Sequence, residues 1–252
     1  MMNILTRKDV EKIIRVAQER NETPSLVEAR LRKAYMSGID LSGADLTAAD
    51  LSEADLSRAK MDKTTLNSAT LSEANLSEAI LQQADLRGAN LGDADFRGAD
   101  LRGVNLSRAN CNRAILSEVD MREANLNTAN LSEANLSRAN LCKSEISGSY
   151  LNNANLVMVD LSQADLRWAN FTGANLSMSD LSESELRWAD LTNADLTRAD
   201  LSKADLRWVK LHGADLTGAD LSHTNLSEAT CNQATKWPHD LDPIQFGVTI
   251  ED

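Results

Sequence analysis

The sequence is short of the residues that build an ordinary core. Aromatics make up 4% of its 252 residues, and there are 3 prolines. A chain so composed lacks the large side chains that fill a conventional two-layer interior. The three cysteines, Cys111, Cys142 and Cys231, are odd in number, scattered and without CxxC spacing. That argues against a disulfide framework and against a thiolate zinc site. Histidine is scarce too, and His212, His223 and His239 give no shared metal centre or triad. No phosphate-cradling glycine loop is present. The expectation is a non-enzymatic protein with no metal and no cofactor. No apolar run of about 18 residues exists to cross a membrane. The opening MMNILTRKDVEKII has no apolar stretch ahead of its charges, so no signal peptide is read there, and a reducing cytoplasm is the expected location.

Charge is lopsided. The formal net charge is -12, and residues 40–235 carry 17 basic against 29 acidic side chains. Such a body argues against direct nucleic-acid binding, which needs Lys and Arg against phosphates. It is consistent with solubility.

What the chain does have is a period of five. Every fifth residue from Leu41 to Cys231 gives 39 positions, of which 32 are Leu; the rest are Met61, Phe96, Cys111, Met121, Ile146, Phe171 and Cys231. Two residues before each lies a small residue, Ala in 28 of the 39 cases. Between them stands mostly Asp or Asn, as in Ala44-Asp45-Leu46 and Ala194-Asp195-Leu196. On an α-helix, at about 100° per residue, leucines so spaced would wind around every side. In a straight strand they would alternate between faces. Only a chain that bends once per repeat turns every Leu toward one axis, and Ala fits beside Leu where that interior is narrow.

The outward residues set the number of repeats per turn. Trp168, Trp188 and Trp208 are 20 residues apart, as are Arg167, Arg187 and Arg207, and as are Met158 and Met178. Thr64, Val104, Ser144, Ser184 and Thr224 likewise share one column of a 20-residue turn. Four pentapeptides therefore make one turn, and the 39 repeats make nearly ten turns. At about 4.8 Å per turn the body is about 47 Å long.

On these motifs the chain resembles the pentapeptide-repeat family, and its flanks, such as Tyr35-Met36-Ser37-Gly38, are similar to cyanobacterial-type members. The resemblance implies an all-β solenoid, a right-handed quadrilateral parallel β-helix. Three segments are expected: an N-terminal helical cap over 1–39, the coil over 40–235 and a capping tail over 236–252. In the cap, Thr6 with Asp9 reads as a capping box ahead of Val10, Ile13, Ile14 and Ala17. Thr23-Pro24 reads as the start of a second helix placing Leu26, Ala29, Leu31 and Ala34 on the first turn. Trp237, Leu241, Ile244, Phe246 and Val248 read as the lid at the other end.

Two function classes follow. In the first, the protein is a rigid scaffold for an unidentified protein partner or for a second copy of itself. Trp168, Trp188 and Trp208 occupy an outward position that elsewhere carries Glu, Arg, Gly or Asn, beside the Arg167, Arg187 and Arg207 column. Trp and Arg are preferred interface anchors; the competing reading is that they pack only on one another along the wall. Met158 and Met178 form a second candidate contact on the opposite side. The other class comes from the resemblance, since the family includes acidic duplex-DNA mimics that bind DNA gyrase. A duplex carries about 28 charges over this length, and the body's net charge falls well short of that.

Overall fold

Each pentapeptide bends the chain once. In the repeat that starts at Leu46, the Ala49 N–H donates to the Leu46 carbonyl at 3.0 Å, closing a β-turn over Thr47 and Ala48. Ala48 takes the left-handed conformation at φ 56°. The computed structural model describes residues 5–239 and 241–251, and this turn recurs every five residues throughout the coil. The outward residue between corners bridges in parallel to the one 20 residues later, from Ser25↔Asp45 to Lys210↔Thr230. Each side of the square is thus one or two residues of strand, held above and below. The Leu46 N–H donates to the Thr65 carbonyl at 2.7 Å, and the Asp45 N–H donates to the Pro24 carbonyl at 2.9 Å.

Inside, leucines and alanines form one continuous core. Leu126, Leu131 and Leu136 are 0–1% exposed, and Phe96 and Phe171 occupy the same inward register. Each buried Leu contributes on the order of 2 kcal/mol. Where the small inward residue is a hydroxyl, it is satisfied by a leucine carbonyl. Ser144 and Ser184 donate to Leu141 and Leu181 at 2.6 Å, and Thr64 and Thr224 donate to Leu41 and Leu201 at 3.1 and 2.8 Å. A buried hydroxyl without such a partner would destabilise the column.

The N-terminal segment differs from its sequence reading. Helix α1, Arg7–Glu19, is capped by reciprocal Thr6 and Asp9 hydrogen bonds. No second helix follows. Residues from Ser25 onward already belong to the coil: the N–H groups of Leu26, Leu31 and Met36 donate to the carbonyls of Asp45, Asp50 and Asp55, each at 2.7 Å. The boundary expected at 39/40 therefore falls near 24/25. Leu26, Ala29, Leu31 and Ala34 fit helical spacing, but they also continue the five-residue phase into Met36 and Leu41. Pairing with the coil above outweighs the local helical preference. Helix α1 then covers the open end: Val10 is fully buried, and the Arg7 guanidinium donates to the Ser37 carbonyl at 2.8 Å.

At the far end one extra residue stops the repeat. Asp215 bridges to Lys236 instead of residue 235. Thr235 Oγ1 donates to the Leu211 carbonyl at 2.7 Å, and Asn232 Oδ1 accepts from the Gly213 N–H at 3.0 Å, filling the gap. The tail returns as β2, Thr249–Ile250, pairing in parallel with β1, Thr230–Cys231. This covers part of an edge that would otherwise template further strands. Val248 is buried, and Trp237 and Leu241 pack on the core. Ile244 and Phe246, expected in the lid, stay 65% and 40% exposed. They lie in the 3-10 turn Pro243–Phe246, too short to turn all its apolar residues one way.

The outer walls are organised by the same register. Asn110 Nδ2 donates to Asn90 Oδ1 at 3.0 Å, and Asn130 Nδ2 donates to Asn110 Oδ1 at 3.3 Å. In the Asp160, Asp180, Asp200 and Asp220 column, each carboxylate accepts from the N–H two residues on, at 2.8–3.0 Å. These local bonds offset the repulsion of stacked like charges. Elsewhere the carboxylate between corners holds an arginine: Arg97, Arg102 and Arg122 clasp Asp95, Asp100 and Asp120 at 2.6–2.7 Å.

Two outcomes are expected from this construction. Leu126→Ala, in the middle of the stack, should cost about 3 kcal/mol. Leu221→Ala, near the end where the side chain is 7% exposed, should cost less. Urea unfolding followed by circular dichroism compares them, and equal losses would contradict a stability built from neighbouring turns. The second concerns acid. Hydrogen bonds from Arg97, Arg102 and Arg122 hold Asp95, Asp100 and Asp120 below the ordinary value of 3.8. Carboxylates depressed in the folded state stabilise it above their unfolded value, and that contribution is lost as pH falls through their folded values. The urea midpoint should stay level from about pH 8 to about 5 and drop below about pH 4. Arg102→Gln should shrink the acid-dependent part.

Candidate functional site

One corner of the prism is unlike the others. Reading along it from the N-terminal end, the left-handed turn residue is Glu28, Ala48, Ser68, Gly88, Arg108, Thr128 and Gly148, then Trp168, Trp188 and Trp208, and last Glu228. The tryptophans hold φ values of 62°, 60° and 60°. For a bulky residue this conformation costs roughly 1–2 kcal/mol, and the coil imposes it because every corner needs it. Only one side-chain direction leads away from such a turn, outward, so three indoles at one coil spacing meet face to face. Trp168 and Trp188 stack with ring centroids 4.6 Å apart and planes 9° apart; Trp188 and Trp208 stack at 4.6 Å and 7°.

The stack does not bury itself. Trp168 is 59% exposed, Trp188 40% and Trp208 38%. The indoles pack on one another and still offer their edges to solvent.

Beside the indoles runs a ladder of ion pairs. Arg167 Nη2 lies 2.6 Å from Asp165 and its Nε 3.5 Å from Glu185. Arg187 lies 2.9 Å from Glu185, with its Nε 3.6 Å from Asp205. Arg207 lies 2.6 Å from Asp205. Partial burial pulls Asp165 and Asp205 upward, but hydrogen bonds and charge from Arg167 and Arg207 outweigh it and hold both below their ordinary value. At the top of the stack the Arg207 guanidinium lies over the Trp208 ring, 5.3 Å from its centroid, a contact worth about 0.5–1 kcal/mol at an exposed site. The three arginines expected as interface anchors are each paired with a carboxylate. What the corner presents is an apolar strip framed by neutralised charge.

Met158 and Met178 lie one coil apart on the opposite corner, 45% and 43% exposed. They are not brought together with the tryptophans, and only two coils carry them. His212 Nε2 sits 3.0 Å from Glu251 in the tail. Among the described residues no group of His, Cys, Asp and Glu is arranged to hold a metal ion, and no helix is long and apolar enough to cross a membrane.

The family model described as pentapeptide repeats matches this chain in overlapping segments that run from residues 25–62 to residues 204–235. Among solved structures, the chain is similar to HetL, a pentapeptide repeat protein involved in heterocyst differentiation regulation from the cyanobacterium Nostoc sp. strain PCC 7120. The two are 33% identical over 89% of this chain and 94% of that one, with a TM-score of 0.49. It is also similar to Rfr23 from the cyanobacterium Cyanothece 51142, 38% identical over 37% of this chain and 63% of that one, TM-score 0.37. QnrB1, a plasmid-mediated fluoroquinolone resistance protein, is 18% identical over 81% of this chain and 92% of that one, TM-score 0.47. No curated protein matches the chain. The repeat that the family model matches from residue 25 to residue 235 is the one that forms the coil, and the chain belongs to the pentapeptide repeat family, whose fold is the right-handed quadrilateral β-helix.

Proposed function

We propose that this protein is a rigid, non-catalytic interaction scaffold whose tryptophan corner docks a protein partner. One observation carries the reading: three stacked indoles in left-handed turns that stay 38–59% exposed. Internal stability alone gives little reason for them, since glycine takes the same turn at Gly88 and Gly148 without that conformational cost. A contiguous exposed apolar strip on a soluble surface marks a contact site, and Trp beside Arg is the composition of interface anchors. A coil whose every turn is held above and below keeps such a strip in fixed geometry, which lowers the ordering cost of binding. Met158 and Met178 form a smaller, secondary surface on the opposite corner.

The chemistry of the walls favours binding over catalysis. Cys111 is buried, and burial pushes its thiol up to about 12, the reverse of an activated nucleophile. Many carboxylates between the corners are engaged by neighbouring arginines or by backbone N–H groups, as at Asp95, Asp165 and Asp160. The same pairing weighs against duplex mimicry. A row of carboxylates interleaved with guanidinium groups does not present the uniform charge of a phosphate backbone.

Affinity capture of partners by the intact protein, compared with a Trp168→Ala, Trp188→Ala, Trp208→Ala triple variant, tests the docking reading. Most of the captured partner should be lost, by tenfold or more, while the unfolding midpoint stays close to that of the unaltered chain. Equal capture by both proteins would rule out this corner. In a supercoiling assay the purified protein should leave DNA gyrase uninhibited; inhibition would restore the mimicry reading.

A further inference from the structure

The indole stack ends on an open face at Trp168. One face of that ring lies against Trp188. In the coil on the other side, the same corner carries Gly148, at φ +66°, where an added Cβ would meet only Thr128 Cγ2 at 3.5 Å. One rung of the stack is missing between Trp168 and Thr128. Two coils span about 10 Å, enough to admit one planar group. The exposures agree: Trp168 is 59% exposed against 38% for Trp208, whose ring lies beneath Arg207.

The same coil lacks a cation. Asp165, Glu185 and Asp205 are each followed two residues later by an arginine that pairs with them. Glu145, next in that column, is followed by Ser147. Its Oε2 accepts from Asn125 Nδ2 at 3.1 Å and from Asn127 Nδ2 at 2.9 Å. No cation pairs with it among the described residues, and it is exposed. Tyr150, 54% exposed, stands two residues beyond Gly148 on the next side. Where the pattern runs carboxylate, arginine, tryptophan in three successive coils, this coil keeps the carboxylate and has neither of the others.

We propose that the slot at Gly148 takes the guanidinium group of an arginine from a partner protein, stacked on the free face of Trp168 and paired with Glu145. This rests on the reading of the corner as a docking surface and names what that surface recognises. The molecule already contains the arrangement once: Arg207 lies 2.6 Å from the Asp205 carboxylate and 5.3 Å from the Trp208 ring centroid, so one guanidinium reaches both columns. Arg167 shows the reach between coils, from Asp165 to Glu185. A neutral aromatic would fill the rung and leave the carboxylate unpaired; an ammonium would pair but has no plane to stack. The overall charge of -12 favours a cationic segment. The nearest competing cation in the corner column, Arg108, is two coils below Gly148, roughly a Debye length away.

The test uses the full-length protein labelled with nitrogen-15 and the probe N-acetyl-arginine methylamide, read by the chemical shift of the Trp168 indole N–H. A saturable shift is expected, with a dissociation constant of about 10 mM for the isolated side chain. Glu145→Gln should weaken it about threefold. Gly148→Trp, which refills the rung in the turn conformation Trp already adopts in the next three coils, should abolish it in a protein that keeps its circular dichroism spectrum, the left-handed turn at φ +66° lowering the unfolding midpoint only modestly. Equal binding of the citrulline or phenylalanine counterpart, or binding that survives Gly148→Trp, would overturn the proposal. Partner capture that depends on the tryptophans while the arginine probe fails to bind would overturn the slot and leave the docking surface standing. Probe binding with capture indifferent to the tryptophans would do the opposite. A light-scattering mass of two chains that reverts to one on adding the probe would assign the arginine to a second copy and overturn the choice of a different protein.

Discussion

The leucine N–H of each repeat donates to a carbonyl one turn ahead, as Leu46 does to Thr65 and Leu166 does to Glu185, at 2.7 and 2.8 Å. The backbone N–H of the preceding residue donates in the other direction, as Asp165 does to Ser144 at 2.9 Å. Together these bonds lock residue i beside residue i+20, and the rest of the molecule follows from that lock. It aligns the leucines into one dry column, and it turns any residue type that recurs every 20 positions into a vertical row on the wall. The asparagine ladder at Asn90, Asn110 and Asn130, the carboxylate–arginine ladder and the indole stack are three such rows. The lock is intolerant of insertions: one added residue after Cys231 shifts the partner of Asp215 to Lys236, and the repeat ends there.

The same geometry carries a recurring conformational cost. Every corner needs a left-handed residue, and most of those positions hold side chains other than glycine. The inter-coil bond made at the same residue, such as Trp188 N–H to the Arg207 carbonyl at 3.2 Å, offsets part of that cost. Corners are therefore the places where the fold holds a side chain outward on a stiff backbone. A bulky aromatic in such a position is presented rather than packed, and stacking between coils makes three of them one surface. Rigidity, exposure and framing by paired charge are properties of this one corner and of no isolated residue in it.

Much of this was legible in the sequence because five-residue and 20-residue periods leave little freedom. The inward register, the four-sided coil and the alignment of Trp168, Trp188 and Trp208 could all be counted. Where the counting misled, two periods competed. Leu26, Ala29, Leu31 and Ala34 satisfy helical spacing and pentapeptide spacing at once, and only the presence of a coil above them selects the second. The left-handed corner was also visible, since nine of the eleven glycines fall on it, but glycine is the minority residue there. The lid was half legible: Val248, Trp237 and Leu241 contact the core, while a 3-10 turn leaves Ile244 and Phe246 exposed.

The candidate site divides in the same way. Its membership is a matter of sequence, because a fixed register places residues 20 apart in one column whatever their identity. The state of those residues is not. Whether Arg167, Arg187 and Arg207 stand free or lie clasped to Asp165, Glu185 and Asp205 depends on side-chain reach within and between coils, which no spacing rule encodes. The vacancy beside Trp168 depends on glycine at residue 148 coinciding with an unpaired Glu145 in the same coil. Local periodicity determined the coil because each repeat bends the same way and pairs with its neighbours. The stacking of side chains from successive coils decided which surface is open, because that is a contact between residues the chain brings together only once it has wound up.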